Sequence, residues 1–350
     1  MAKKRKGCCG CGCFSSSFLL LLGGLVLAYF GYKYLFQSNV RASEADHVIF
    51  IPKEASFDQV MDSLRSKAIL LNEASFIQVA KVKKYPELIK SGRYTIGQGW
   101  NNQEIVNHLR AGNQDAVKLV INNVRTKAQL AGLLGSTFQA DSLQFLTTLN
   151  DSATTQAHGF SPDEVTAMFL ANTYNVYWDT TPEALLARMK KEYDKFWTQG
   201  RVDQAKAQGL SPFQVITLAA IVEEETKMRS EMPIVAGLYL NRLNKGWNLE
   251  ADPTLKYAAG DFSITRVLNK HKEIDSPYNT YMYAGLPPGP IRIPESYAIE
   301  AVLQPKDHDY MFMCASADFD GSHAFAKTLA EHNRNARKYQ AALNERRIFN

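Results

Sequence analysis

Three consecutive acids stand inside an apolar run, Leu218-Ala219-Ala220-Ile221-Val222-Glu223-Glu224-Glu225-Thr226. A carboxyl group that apolar surroundings cannot solvate holds its proton, and a held proton is what a general acid needs. With about 100° per residue from Val215 to Arg229, Glu224 falls on the narrow polar sector, while Glu223 and Glu225 fall on opposite flanks of the apolar one. Glu223 has small neighbours, Ala219 and Ala220, and these leave room for a ligand. Glu225 lies among bulkier residues, with Arg229 four positions on, in good order for an i,i+4 ion pair. The wheel therefore assigns chemistry to Glu223, a structural pair to Glu225 and Arg229, and solvent to Glu224. Helix-surface acids with no chemical role fit this window about equally well.

The elements that must position these acids belong to a long exported part. The formal net charge is +5, and Lys3, Lys4, Arg5 and Lys6 supply most of it. The remainder is near neutral, so no basic stripe is left for nucleic acid. From Phe14 to Tyr32 there is no charged residue, and the apolar character resumes after Lys33 through Phe36. This is the length needed to cross a bilayer of roughly 30 Å. The preceding cations predict a cytoplasmic N-terminus and place everything after about Gln37 outside the cytoplasm. A cleaved signal peptide has a similar layout, but no clear small-x-small cleavage site follows. Cys8, Cys9, Cys11 and Cys13 cluster before the apolar run with spacing too tight for a usual zinc module, and the exported part has only Cys314. No metal or cofactor motif appears, and no nucleophile elbow.

Residues 47–113 read as strand, helix, helix, strand, helix: Val48–Pro52, Phe57–Leu71 with Ser56 as N-cap, Asn72–Lys81, Ser91–Ile96 and Asn101–Ala111. This outline is similar to a small LysM module, which binds N-acetylglucosamine polymers; a structural spacer has the same outline. Residues 114–159 form a connecting segment with a strand at Val117–Ile121, helices at Thr126–Leu134 and Asp141–Leu149, and a polar loop from Asn150 to His158. From Phe160 a third part, residues 160–350, begins, with helices over Pro182–Gln199, Arg201–Gln208, Ser211–Lys227 and Met232–Asn244. The fold class expected is α+β: a tail at 1–13, one transmembrane helix at 14–36, a LysM-like subdomain, and a mostly helical catalytic domain with a small sheet.

Downstream of the acids stand Asn241-Arg242-Leu243, Asp252-Pro253-Thr254, Tyr278-Asn279-Thr280-Tyr281, Gly285-Leu286-Pro287-Pro288-Gly289-Pro290-Ile291 and His323-Ala324-Phe325. With the acid run, this ordered set resembles the MltG (YceG-like) endolytic murein transglycosylases, over about Val48 to Tyr339. Phe169-Leu170-Ala171-Asn172-Thr173-Tyr174 departs from the family's Pro-Asp-Thr-Tyr segment at Ala171 and Asn172, which argues against an acid there.

The resemblance implies cleavage of peptidoglycan glycan strands between N-acetylmuramic acid and N-acetylglucosamine, with closure of a 1,6-anhydro ring and no cofactor. It places the essential glutamate at Glu223. The candidate substrate contacts are Asp252, Thr254, Tyr278, Asn279, Thr280, Tyr281 and His323, which offer rings for sugar faces and polar groups for sugar edges, while Pro287, Pro288 and Gly289 belong to a stiff loop suited to a wall of the cleft. Asp252 also reads as a turn or cap residue, and His323 as a structural histidine on a strand end. The partners expected are glycan strands and membrane-bound glycan synthases. Two rivals stay open: a muramidase-type hydrolase with Asp252 or Glu225 positioning water, and a non-catalytic wall-binding scaffold.

Overall fold

Helix starts are written into the chain as side-chain caps. Ser56, Asn101, Thr126, Asp141 and Ser211 each accept from the backbone N–H three residues on, and the Gln or Glu at that position reaches back to the cap. These reciprocal pairs satisfy N–H groups that a helix leaves without partners. The structure is a computed structural model that describes residues 11–346, with side chains from Phe18 onward. Lys3 to Lys6, Cys8 and Cys9, on which the topology and tail readings rest, lie outside the described residues, as do the side chains of Cys11 and Cys13.

The chain divides into two compact units, residues 1–117 with 176–179, and residues 118–175 with 180–350. In the first, a helix runs over Cys11–Phe36, and its Phe18–Phe36 stretch, at mean hydropathy 1.6, is long and apolar enough to cross a membrane. Strands β1 (His47–Ile51) and β2 (Gly92–Ile96) pair antiparallel, with Ile49 opposite Tyr94. Helices Phe57–Ser66, Glu73–Val82 and Asn102–Ala111 accompany them. Ile49, Ile51, Val60, Leu64, Phe76, Tyr94, Ile105 and Leu109 are fully buried together. Burial of each such side chain contributes about 1.5–3 kcal/mol. Asn39 and Asn102 join the apolar helix to this core: Asn39 Nδ2 donates to Asn102 Oδ1 at 2.6 Å, and Asn102 Nδ2 donates to the Tyr34 carbonyl at 2.8 Å.

Strand β3 (Ala116–Ile121) pairs with β4 (Asn172–Tyr177). In the second unit, helices Lys127–Thr137 and Ser142–Asn150 pack on each other. The expected loop at Asn150–His158 holds a short helix, Ser152–Gln156, because Asp151 caps it through the Thr154 N–H. The central element is helix Pro212–Glu225, buried at every position from Val215 to Glu223. It packs against helices Met232–Asn244 and Ser296–Leu303. The backbone near Lys306 approaches Gly237 so closely that a Cβ there would lie 2.5 Å from the Lys306 carbonyl oxygen. Strands β5 (Phe312–Ala315) and β6 (His323–Ala326) pair antiparallel, and helix Leu329–Glu345 follows. The fold is α+β with small two-stranded sheets.

Candidate active site

The acid helix stops at Glu225. Thr226 is extended, with φ −134° and ψ 140°. The i,i+4 relation between Glu225 and Arg229 therefore does not exist in the folded chain, and the expected pair is not formed. Arg229 lies over the Tyr297 ring, 3.9 Å from its centroid.

Glu223 and Glu224 belong to an ion network. Arg292 reaches Glu223 Oε1 at 3.1 Å and Glu224 Oε1 at 2.7 Å, and Arg125 reaches Glu224 Oε1 at 3.1 Å. The second oxygen of Glu223 accepts the Glu295 backbone N–H at 2.8 Å. Glu224 is thus no solvent-facing acid, because cations from two distant segments converge on it. Burial pushes the Glu223 carboxyl above its ordinary range, opposed by the Glu295 N–H and by Arg292. Glu223 is only 4 % exposed and both oxygens are engaged.

Glu225 is placed differently. It is half-buried, and it lines a cleft of about 230 Å³ with Arg242, Asp252, Tyr281 and His323. Tyr239, itself buried, donates its hydroxyl to Glu225 Oε1 at 2.8 Å. Burial pushes the Glu225 carboxyl up to about 7; Asp252 adds to the rise, while the Tyr239 hydrogen bond, Arg242 and Lys256 oppose it. An acid poised near neutrality and open to a cleft can give and retake a proton. The geometry favours Glu225 over Glu223 for chemistry.

The other expected site residues separate into two groups. Tyr281 and Asp252 line the cleft and are joined, the Tyr281 hydroxyl donating to Asp252 Oδ1 at 2.6 Å. Asp252 opens helix Asp252–Ala259 with Pro253 in its first turn. His323 begins β6 and also lines the cleft. Asn279, Thr280 and Thr254 are buried instead. Asn279 donates to the Lys272 and Ile274 carbonyls and accepts the Tyr281 N–H. Thr280 Oγ1 accepts the Ala251 N–H and pairs with Thr254 Oγ1. These three residues hold the loop that presents Tyr281.

Tyr278 packs on Tyr257, with centroids 4.6 Å apart, and its hydroxyl lies near Gly289. Pro287 and Pro288 line a hollow of about 680 Å³ with Phe213, Leu240 and Leu243 that contains no carboxylate. Ala171 and Asn172 line another, of about 370 Å³, beside Glu295. None of these residues borders the Glu225 cleft. Among the described residues, no cluster of three or more metal-ligating side chains forms.

Sequence reasoning missed Tyr239 and Glu231. Tyr239 sits two residues before the Asn241-Arg242-Leu243 motif, on the helix that follows the acids. Arg242, within that motif, gives its guanidinium to the Met311 and Leu249 carbonyls and to Glu250. Glu231 has no local pattern, since its partner His323 is distant in sequence.

A buried helix ends in an acid whose carboxyl is pushed up to about 7, and that acid shares one cleft with a tyrosine–aspartate pair and a histidine, an arrangement able to move protons. The chain belongs to the YceG-like family, whose model matches residues 49–338. It is 29% identical over 343 residues to the endolytic murein transglycosylase of Bacillus subtilis (strain 168), covering 93% of both chains. It is 26% identical over 361 residues to the protein of the same name in Streptococcus pneumoniae serotype 2 (strain D39 / NCTC 7466), covering 93% of this chain and 65% of that one. A crystal structure of a yceG-like protein from Listeria monocytogenes superposes with a TM-score of 0.55 at 28% identity, covering 83% of this chain and 99% of that one.

Proposed function

We propose that this chain is an endolytic murein transglycosylase in which Glu225 serves as acid and then as base. The observation that carries the reading is the Glu225 carboxyl, pushed up to about 7 by burial and opening into the cleft with Asp252, Tyr281 and His323. The names of the relatives in Bacillus and Streptococcus support the substrate class.

The bond broken is the glycosidic C1–O bond of N-acetylmuramic acid to N-acetylglucosamine. Neutral Glu225 gives its proton to the leaving oxygen. The carboxylate so formed takes the proton of the muramic acid 6-hydroxyl, and O6 bonds to C1. The anhydro ring closes, the acid is restored, and no water is consumed. Tyr239 steadies the carboxylate stage, because a hydrogen bond to the charged form favours it. Tyr281 offers a ring to a sugar face, with its orientation set by Asp252. The helix over Phe18–Phe36 serves as an anchor with the enzyme outside the cytoplasm, so that new strands beside glycan synthases are cut and polymerisation ends there.

Product ends test the reaction. Digestion of purified sacculi should give 1,6-anhydro termini by mass spectrometry, and Glu225→Gln should release them about 10²–10⁴-fold more slowly. Reducing termini would instead indicate the hydrolase, with Asp252 directing water, and no products at all would indicate a scaffold.

A further inference from the structure

We infer that Glu231 is a positioning residue that fixes the tautomer of His323, so that His323 offers a bare Nε2 to the cleft as acceptor for a sugar hydroxyl. The inference rests on the reading of the cleft as a glycan site. Glu231 immediately precedes helix Met232–Asn244 and is 7 % exposed. Its Oε1 accepts the His323 backbone N–H at 2.7 Å, and its Oε2 lies 2.9 Å from His323 Nδ1. The same Oε2 accepts the Thr226 hydroxyl at 3.0 Å.

An ionised carboxylate only accepts hydrogen bonds, so Nδ1 must carry the hydrogen. In a neutral imidazole the other nitrogen is then unprotonated. His323 Nε2 makes no hydrogen bond among the described residues, while the ring lines the same cleft as Glu225. A bare ring nitrogen rejects the glycosidic and carbonyl oxygens of a glycan, which only accept. It selects a hydroxyl, which can donate. Thr226 directly follows Glu225 in the chain, so one buried carboxylate registers both the residue beside the acid and the histidine.

The test uses the full chain in detergent, with histidine ring nitrogens labelled and the signal of residue 323 assigned by its loss in His323→Gln. In the neutral ring, recognised by its nitrogen shifts, the hydrogen should sit on Nδ1. Glu231→Gln, which can turn an amide donor toward Nδ1, should shift the signal toward the Nε2–H form. KM for glycan should rise about 3–10-fold in both Glu231→Gln and His323→Gln, with kcat within about 3-fold, as expected for one hydrogen bond. A wild-type ring in the Nε2–H form would overturn the inference, and so would an unchanged KM in both variants. The wild-type tautomer is read whether or not Glu231→Gln folds. Turnover by Glu225→Gln reports separately on the reading of the cleft, so the two ideas fail independently.

Discussion

Tyr239 donates its hydroxyl to Glu225 Oε1 across 2.8 Å, joining the helix that carries the acid to the helix that follows it. The bond stabilises the charged carboxylate, while burial stabilises the neutral acid. Their opposition leaves the group near neutrality.

The two flanking acids should separate by assay. Glu225→Gln should lower the rate of glycan cleavage about 10²–10⁴-fold, the usual cost of losing acid/base catalysis, with the fold retained. Glu223→Gln should keep most activity and lose about 1–3 kcal/mol of stability, since Arg292 stays buried with only Glu224 as a carboxylate partner. Melting curves beside turnover would reverse this assignment if the losses were exchanged.

Tyr239→Phe removes a bond that holds the Glu225 pKa down. The acid should then stay protonated to higher pH, and the alkaline limb of kcat/KM should move up from about 7. A limb that stays in place or moves down would separate Tyr239 from the acid.

The raised pKa of Glu225 also couples to stability. A folded-state value of about 7 against an ordinary 4.5 means that the folded chain holds the proton more tightly. Its contribution is complete below about 4.5 and is lost as pH rises through about 7. Glu225→Gln, which mimics the neutral acid, should flatten the fall in melting temperature across that window. A fall as steep as that of the wild type would count against the shift.

Truncation should be sensitive to a few residues at the end of the apolar helix. Asn39 accepts the Asn72 N–H at 2.7 Å and donates to Asn102, so a chain beginning at Arg41 loses both bonds. Relative to one beginning at Tyr34, it should lose about 1–3 kcal/mol, read as a shift of the first unit's melting transition. The longer soluble form, exported with a cleavable signal, should cut isolated sacculi yet fail to restore glycan lengths in cells lacking the native protein. Full restoration would make the apolar helix a delivery device only.

Much of the fold was legible because its signals are local. Ser56 announces its helix by residue type, and His323 stands at a strand end as its sequence context suggests. The roles of the acids were harder to read because a helical wheel sees only the neighbours on its own helix. The proposal of Glu225 over Glu223 rests on Arg292 on one side and Tyr239 on the other, both from other elements. The wheel also ran on to Arg229, whereas the helix ends at Glu225. The motif Tyr278-Asn279-Thr280-Tyr281 was visible as a string, but a string does not say that Asn279 and Thr280 are buried while Tyr281 borders the cleft.

Arg125, Glu224, Arg292 and Glu223 carry two positive and two negative charges in contact with one another. What such a group must preserve is its sum. Removing one member strands an opposite charge where water is scarce, whereas removing an oppositely charged pair leaves the rest balanced. Arg292→Met should therefore be more damaging alone than together with Glu223→Met, and a double-variant cycle on melting temperature would measure the coupling. The chain can therefore drift at these positions in pairs of opposite charge, but not one residue at a time.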